Sequence, residues 1–312
     1  LYHYDMEGSL MDITYDYYRI FYYVAKYKSF TRAATVLMNN QPNISRAMNN
    51  LEKQLGCTLF LRSNRGISLT PEGKKLYNHV SVAYRHLQAA ELELSGSNTL
   101  ESGNVTISAS ETALHGILLD VLRDFHNAYP NIHIHILSHT TPEAIQTVRS
   151  GLADFCVVTS PTRVRRPFKE TVLIEFHEIL VGSRKYSELS EKKLRLQDLQ
   201  QYPMVCLGRN SMTYSYFSEQ FLKRKLVLNP EVEVATSEQL IPIITHDLGI
   251  GFIPDFLSKE PLREGVIIEI PLKDKLPPRQ ICLVEDSGHA LSVAATKLKH
   301  MLVAAHSTEE TE

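Results

Sequence analysis

Tryptophan is absent from the 312 residues, and cysteine occurs only four times. Cys57, Cys156, Cys206 and Cys282 stand far apart with no CxxC spacing, which argues against a zinc ribbon or a dithiol redox motif. Cys156 and Cys206 sit inside the apolar runs "DFCVV" and "MVCL", so they read as buried thiols rather than a sensing pair. A reducing, cytoplasmic setting fits this usage. No apolar run approaches the roughly 20 residues needed to cross a bilayer, so no membrane partner is expected. The opening "LYHYDMEGSL" has neither the basic start nor the apolar stretch of a signal peptide, and the chain is read from Met11. No GxSxG element appears and no paired carboxylates stand out, so the sequence lends no support to an enzyme.

The net charge of −2 conceals an uneven distribution. Residues 11–75 hold ten Lys/Arg against four acids, a surplus of six, which leaves −8 on the remainder. A compact basic end on an acidic body points to a polyanion partner for that end alone.

The basic end reads as helical. In "YDYYRIFYYVAKYKSF" the residues Tyr17, Phe21, Val24 and Ala25 recur at helical spacing, and the many tyrosines read as core and rim aromatics. "SFTRAATVL" starts a second helix with Ser29 or Thr31 near its N-cap and Ala33, Ala34 and Leu37 on its buried face. Asn39 and Asn40 end it, and Asn40 caps a third helix with Pro42 in the first turn. There Ile44, Met48, Leu51 and Leu55 form one stripe while Arg46, Asn49 and Lys53 fall on the opposite face, and Gly56 ends the helix. "CTLFLRSNRGISLT" is a hairpin with Arg62 and Arg65 near its tip. "TPEGKK" opens a long helix along which Leu76, Val80, Ala83, Leu87, Ala90 and Leu94 make an unbroken heptad seam. Such a seam calls for cover, and a second copy of the helix is the simplest source.

The polar stretch "SGSNTLESGN" (95–104) is the clearest linker. Strands and helices then alternate: "NVTISAS", "ETALHGILLDVLRDFHNAY", "NIHIHILS", "TPEAIQTVRSGL" and "ADFCVVTS". A second set begins near residue 203 with "YPMVCLG" and closes with "GIGFIPDFL". This alternation argues for parallel sheets in two lobes with a cleft between them. "GIGFIP" (249–254) lacks GxGxxG, so it reads as a strand crossing between lobes, close to bound ligand, rather than a nucleotide site. In "HIHIHILSH" the residues His133 and His135 lack a third ligand and alternate with Ile132, Ile134 and Ile136 as the outer face of a half-buried strand. No metal or cofactor is expected.

Three helices and a basic hairpin make a winged helix-turn-helix. In "SFTRAATVL", "QPNISRAM", "LEKQLG", "LFLRSNRG" and "LTPEG", residues 11–95 resemble the N-terminal domain of the LysR-type transcriptional regulators. "DFHNAYPNIHIHI", "SGLADFCVV" and "HDLGIGFIP" are similar to that family's effector domain, and the likeness runs from Met11 to about Val303. The resemblance implies a winged helix-turn-helix DNA-binding domain (11–70), a linker and dimerisation helix (71–95), and a two-lobed α/β effector-binding domain (104–305) like that of periplasmic binding proteins. It places DNA reading on Gln41, Pro42, Asn43, Ser45 and Arg46, with Thr31 and Asn49 beside them. Arg32, Arg62 and Arg65 fall where the family holds the backbone or reaches the minor groove. Arg suits guanine O6/N7, and Asn and Gln suit adenine N6/N7. The sequence departs from the family at Asn49–Asn50, where many relatives are basic, which shifts affinity toward the wing.

In the C-terminal part, Ser110 and Thr112 follow the first strand, Thr159 and Ser160 end the third, and Arg209, Asn210, Ser211, Met212 and Thr213 form the matching turn of the second lobe. With Gly251 and Phe252 these resemble the family's ligand-contacting positions. Free amides at helix starts favour an anion, and Arg209 offers a bidentate contact, so a small carboxylate effector is expected. The implied protein is a homodimer or tetramer that binds an operator in double-stranded DNA and responds to a small molecule. The competing reading is a solute-binding protein whose N-terminal helices serve only assembly.

Overall fold

The computed structural model describes residues 13–63, 66–94, 100 and 102–306, for residues 62, 63, 66, 85, 86, 89, 90 and 92–94 in their backbone alone. The chain divides into two compact units at residues 98 and 99.

The first unit runs α1 (Tyr15–Tyr27), α2 (Phe30–Val36), α3 (Gln41–Leu55), β1 (Phe60–Ser63), β2 (Gly66–Leu69) and α4 (Pro71–Leu94). Local chemistry sets each boundary. The Ser29 hydroxyl accepts the Arg32 N–H at 3.2 Å to start α2, and the Asn40 side chain accepts the Asn43 N–H at 2.9 Å to start α3. Gly56, at φ +67°, closes α3 in the left-handed region. Between these caps α3 buries Ile44, Ala47, Met48 and Leu51, and each of the larger three contributes about 1.5–3 kcal/mol by leaving water. The Glu52 carboxylate accepts the Leu59 and Phe60 N–H groups at 2.7 and 3.2 Å, which fixes where the hairpin leaves α3. β1 and β2 pair antiparallel from Phe60 with Leu69 to Ser63 with Gly66.

The motif residues around Thr70 have a plain steric reason. The Thr70 hydroxyl accepts the Gly73 N–H at 2.9 Å and donates to the Thr58 carbonyl at 2.7 Å, so it joins the α4 start to the hairpin. Gly73 lies so close to that hairpin that a Cβ would stand 2.2 Å from the Leu59 carbonyl oxygen. Gly73→Ala is therefore expected to destabilise this unit by at least about 1–3 kcal/mol, read from the urea midpoint. An unchanged midpoint would show that the hairpin backbone yields freely.

The expected heptad seam is divided. Val80 is buried and Leu76 half-buried in the unit's own core, joined there by Tyr84. The reason is the aromatic face of α1: the Tyr22 and Tyr84 rings lie 4.5 Å apart, and the Tyr23 and Tyr84 hydroxyls hydrogen-bond at 2.8 Å. Heptad spacing does not distinguish cover by a neighbour in the chain from cover by a second copy. Leu87 stays 44% exposed and Ala83 exposed, while the Ala90 and Leu94 side chains lie outside the described residues.

The second unit begins with β3 (Gly103–Ala109), α5 (Glu111–Ala113), a π-helical turn (Leu114–Leu118) and α6 (Leu119–Ala128). β4 (Ile132–Ser138), α7 (Thr141–Arg149), β5 (Phe155–Thr159) and β6 (Phe168–Phe176) complete the first pass through one lobe. The other lobe holds β7 (Glu178–Gly182), β8 (Met204–Leu207), α8 (Met212–Leu222), β9 (Val232–Val234), α9 (Leu240–Thr245), β10 (Ile250–Pro254), α10 (Asp255–Arg263) and β11 (Ile268–Glu269). β12 (Arg279–Asp286) and α11 (Val293–His306) return to the first lobe.

Two five-stranded sheets result, ordered β4-β3-β5-β12-β6 and β11-β7-β10-β8-β9. Each has a parallel trio, as the alternation implies, but β12 pairs antiparallel with β5 and β6, and β7 antiparallel with β10 and β11. These strands flank the two crossings between lobes, so the sheets are mixed rather than parallel. Helices cover both faces of each sheet. Leu122 and Phe125 of α6 and Leu298 of α11 lie on one side of the first, with Ala144 and Val148 of α7 on the other. Phe217 of α8 and Ile244 of α9 do the same for the second.

Candidate functional site

A cavity of about 340 Å³ opens between the two lobes of the second unit. Its walls are strand ends and helix starts, where parallel topology leaves backbone amides unpaired. From the first lobe come Ser110, Glu111 and Thr112 after β3, His139 to Thr141 and Glu143 at the head of α7, and Thr159 ending β5. The second lobe adds Gly208 and Asn210 to Thr213 at the head of α8, and Val234 to Ser237 after β9. Ser110 accepts the Ala113 N–H at 3.3 Å and Ser211 the Tyr214 N–H at 3.0 Å, so both are N-caps. The first-turn amides of Glu111, Thr112, Met212 and Thr213 have no intrahelical acceptor available to them.

Side-chain hydrogen bonds join the lobes at the cavity. The Thr112 hydroxyl donates to the Ser237 hydroxyl at 3.2 Å with both residues buried. His115 Nε2 hydrogen-bonds the Glu238 carboxylate and lies 3.6 Å from Glu111 Oε2. Ligand atoms of these last three residues fall within 4.8 Å of one another, a spacing a divalent cation could fill. The Ser138 hydroxyl already donates to Glu111 and His115 already bonds Glu238, so the trio is satisfied as an interlobe contact.

Beneath the cavity lies Arg279, 1% exposed. Its guanidinium donates to the Ser160 carbonyl at 2.8 and 3.0 Å, to the Thr159 hydroxyl at 3.0 Å, to the Thr213 hydroxyl at 3.1 Å and to the Glu178 carboxylate. The Phe176 and Tyr216 rings face it at 5.5 and 5.2 Å. One side chain thus holds the end of β5, the crossing into β7 and the start of α8. Burial pushes the Glu178 carboxyl up and Arg279 pulls against that shift.

Of the residues singled out in the sequence, Ser110, Thr112, Thr159, Asn210, Ser211, Met212 and Thr213 line the cavity. Four others do not. Ser160 turns its hydroxyl to the Gln280 N–H at 2.9 Å. Arg209 points outward, 65% exposed, and pairs with Glu233 at 3.1 Å, which removes the side chain that carried the bidentate carboxylate contact. Gly251 and Phe252 belong to β10, an inner strand of the second sheet. A Cβ at Gly251 would stand 2.9 Å from the Val205 carbonyl, and the Phe252 ring stacks on Phe217 at 4.5 Å. Close sheet packing, not ligand approach, accounts for "GIGF"; the crossings are the Phe176–Glu178 segment and residues 270–279. Sequence reasoning missed Glu111, His139, Thr140, Thr141 and Glu143. A usable signal was present in "TTPE", since Glu143 accepts the Thr140 N–H and hydroxyl at 3.0 and 2.7 Å as a capping box. Those bonds hold the Glu143 carboxyl below its ordinary value.

In the first unit the phase arithmetic for α3 holds residue by residue. Gln41, Pro42, Asn43, Arg46 and Asn49 are exposed and Ser45 half-buried, whereas Ile44 and Met48 are fully buried. The Gln41 amide donates to Ser45 at 3.2 Å and the Asn43 amide to Asn39 at 3.1 Å, which pre-orients the polar face. Thr31 and Arg32 are exposed on α2. Arg62 stands in β1 opposite Ile67, but its side chain and all of Arg65 lie outside the described residues.

Burial pushes the Cys156 and Cys206 thiols up to about 12 and raises Cys282 too. Cys57 is the half-exposed one. Under native conditions at pH 8, Ellman's reagent is expected to titrate Cys57 alone, and all four thiols only in denaturant. Rapid native reaction of Cys156 or Cys206 would contradict this.

Two family profiles match the chain: the "Bacterial regulatory helix-turn-helix protein, lysR family" over residues 15–74 and the "LysR substrate binding domain" over residues 98–307. The chain belongs to the LysR family. It is a transcriptional regulator with an N-terminal helix-turn-helix domain for DNA and a C-terminal domain for a small-molecule effector. It is similar to the HTH-type transcriptional activator IlvY of Haemophilus influenzae, 24% identical over 84% of this chain and 90% of that one. A second relative is the HTH-type transcriptional regulator GltR of Bacillus subtilis, 27% identical over 82% and 85%. Full-length CbnR, solved with its target DNA, shares the fold with a TM-score of 0.67 at 17% identity, over 94% of this chain and 99% of that one. As a LysR-family regulator the chain has no enzymatic role implied by these likenesses, and no helix among the described residues is long and apolar enough to cross a membrane.

Proposed function

We propose that this LysR-family regulator reads a partly symmetric operator as a homodimer or tetramer and is switched by a small carboxylate held in the cavity between its C-terminal lobes. The cavity walled by first-turn amides from both lobes carries the effector reading, because amides aimed into one space bind an anion without basic side chains. Ligand bridging the lobes favours the closed arrangement and so shifts the population of DNA-binding states. Gln41, Pro42, Asn43, Ser45 and Arg46 read base edges with Thr31 and Asn49 beside them, while Arg32 and the arginine wing hold the backbone. The exposed Ala83 and Leu87 supply a surface for a second copy of α4. Cytoplasmic residence follows from an operator target.

A metabolite screen by dye-based thermal shift on the whole chain tests the effector reading, because a ligand stabilises the state it binds. A hit is expected to lose its shift in Ala235→Trp, which fills the cavity from its exposed rim. A shift that survives that substitution would place the effector elsewhere.

A further inference from the structure

The cavity presents two chemically opposed sets of groups. The first donates hydrogen bonds. Arg279 Nη2 shares its two hydrogens among the Ser160 carbonyl and the Thr159 and Thr213 hydroxyl oxygens, at 2.8, 3.0 and 3.1 Å. Each hydroxyl therefore spends a lone pair on the guanidinium and keeps its own O–H, which has no acceptor among the described residues. Thr159 and Thr213 belong to different lobes, and both line the cavity beside the first-turn amides. An acceptor-rich, negatively charged group is what such a set holds.

The second set has the opposite character. Glu111 and Glu143 line the same cavity, and among the described residues no Lys or Arg side chain does, His139 being the lone basic residue of that lining. The Arg279 charge behind the floor is matched by Glu178, so it does not offset these carboxylates. Glu111 accepts from Ser138 and has His115 Nε2 at 3.6 Å, that imidazole being bonded to Glu238, and Glu143 accepts from Thr140. A carboxylate has about four acceptor sites, so each keeps room for a further donor. A simple carboxylate ligand would add a third negative charge to this lining, and a dicarboxylate a fourth. A ligand that also carries an ammonium turns that repulsion into attraction.

We infer that the effector is a small zwitterion of the amino-acid class, its carboxylate held by Thr159, Thr213 and the helix-start amides and its ammonium by Glu111. This rests on the reading of the cavity as the effector site and narrows the carboxylate to one bearing an amine. The size agrees, since about 340 Å³ lies at the small end of ligand pockets. Arg279 acts through the two threonines as a positioning residue, setting both as donors.

The test is thermal shift and titration calorimetry on the whole chain with the protein amino acids, their α-keto acids, the corresponding amines without a carboxylate, and aliphatic dicarboxylates. At least one amino acid is expected to bind, with its keto acid and amine each at least about tenfold weaker, the loss of one charged hydrogen-bonded group. Glu111→Gln should weaken the amino acid about tenfold and narrow its advantage over the keto acid. Thr159→Val with Thr213→Val should weaken amino acid and keto acid alike. A keto acid or dicarboxylate that binds as tightly as any amino acid, or a panel in which no amino acid binds, overturns the zwitterion assignment. If that tighter carboxylate is lost in Ala235→Trp, the cavity reading stands without it. An amino acid that still binds Ala235→Trp overturns the cavity reading itself.

Discussion

Replacing Arg279 by alanine is expected to destabilise the C-terminal unit by about 3–5 kcal/mol, the cost of stranding one member of a buried ion pair. The guanidinium is 1% exposed and the Glu178 side chain 2%, so water cannot replace the lost partner. The Ser160 carbonyl and the Thr159 and Thr213 hydroxyls lose their donor in the same step. The effect belongs mainly to the stranded charge, and that distinction is testable. Arg279→Met combined with Glu178→Leu removes both charges and should recover most of the loss in a urea titration, since apolar replacement of a whole buried pair is often near neutral. A single variant that costs under about 1 kcal/mol, or a double variant as weak as the single, would contradict the account. The recovered double variant should still respond poorly to effector, because Thr159 and Thr213 would no longer be fixed as donors.

This arginine also marks where the sequence stops being legible. Caps and amphipathic faces are local, so they could be read directly: Asn40, Gly56, Ser110 and Ser211 stand at helix ends, and the Ile44 and Met48 stripe faces inward. The alternation of strands and helices likewise located both parallel trios. Arg279, by contrast, opens an ordinary-looking strand, and its partner Glu178 lies 101 residues away. No periodicity announces a pair of that separation. The antiparallel strands β6, β7 and β12 went unseen for the same reason, as they are defined by where the chain recrosses between lobes.

The site was half legible on similar grounds. Residues that reach the cavity because they begin a helix could be found, while Arg209, chosen for its charge, was captured by Glu233 on the outer surface. Charge alone names what a side chain can bind, not which way it turns. Gly251 shows the complementary error: a glycine suggestive of ligand approach is fixed by the Val205 carbonyl of the neighbouring strand. In α4 the spacing was right and the partner incomplete, because Tyr22 and Tyr23 of α1 already cover part of the helix.

The second large effect is expected at Arg46, on DNA rather than on stability. Arg46 is exposed between the buried Ile44 and Ala47, so its truncation removes little from the core. Base discrimination should fall by about 1–3 kcal/mol at the position it contacts, the value of one good bidentate contact. The measure is the ratio of affinities for an operator selected from random DNA and for its scrambled counterpart, by anisotropy at several salt concentrations. Arg32→Ala gives the contrasting result: affinity for both DNAs should fall together and the salt slope by about one, as a phosphate contact requires. The contrast follows from the composition of α3, whose exposed face offers Gln41, Asn43, Arg46 and Asn49 and so a single charge for four reading groups. If Arg46→Ala leaves the affinity ratio intact and only flattens the salt slope, that face holds phosphates and sequence must be read elsewhere.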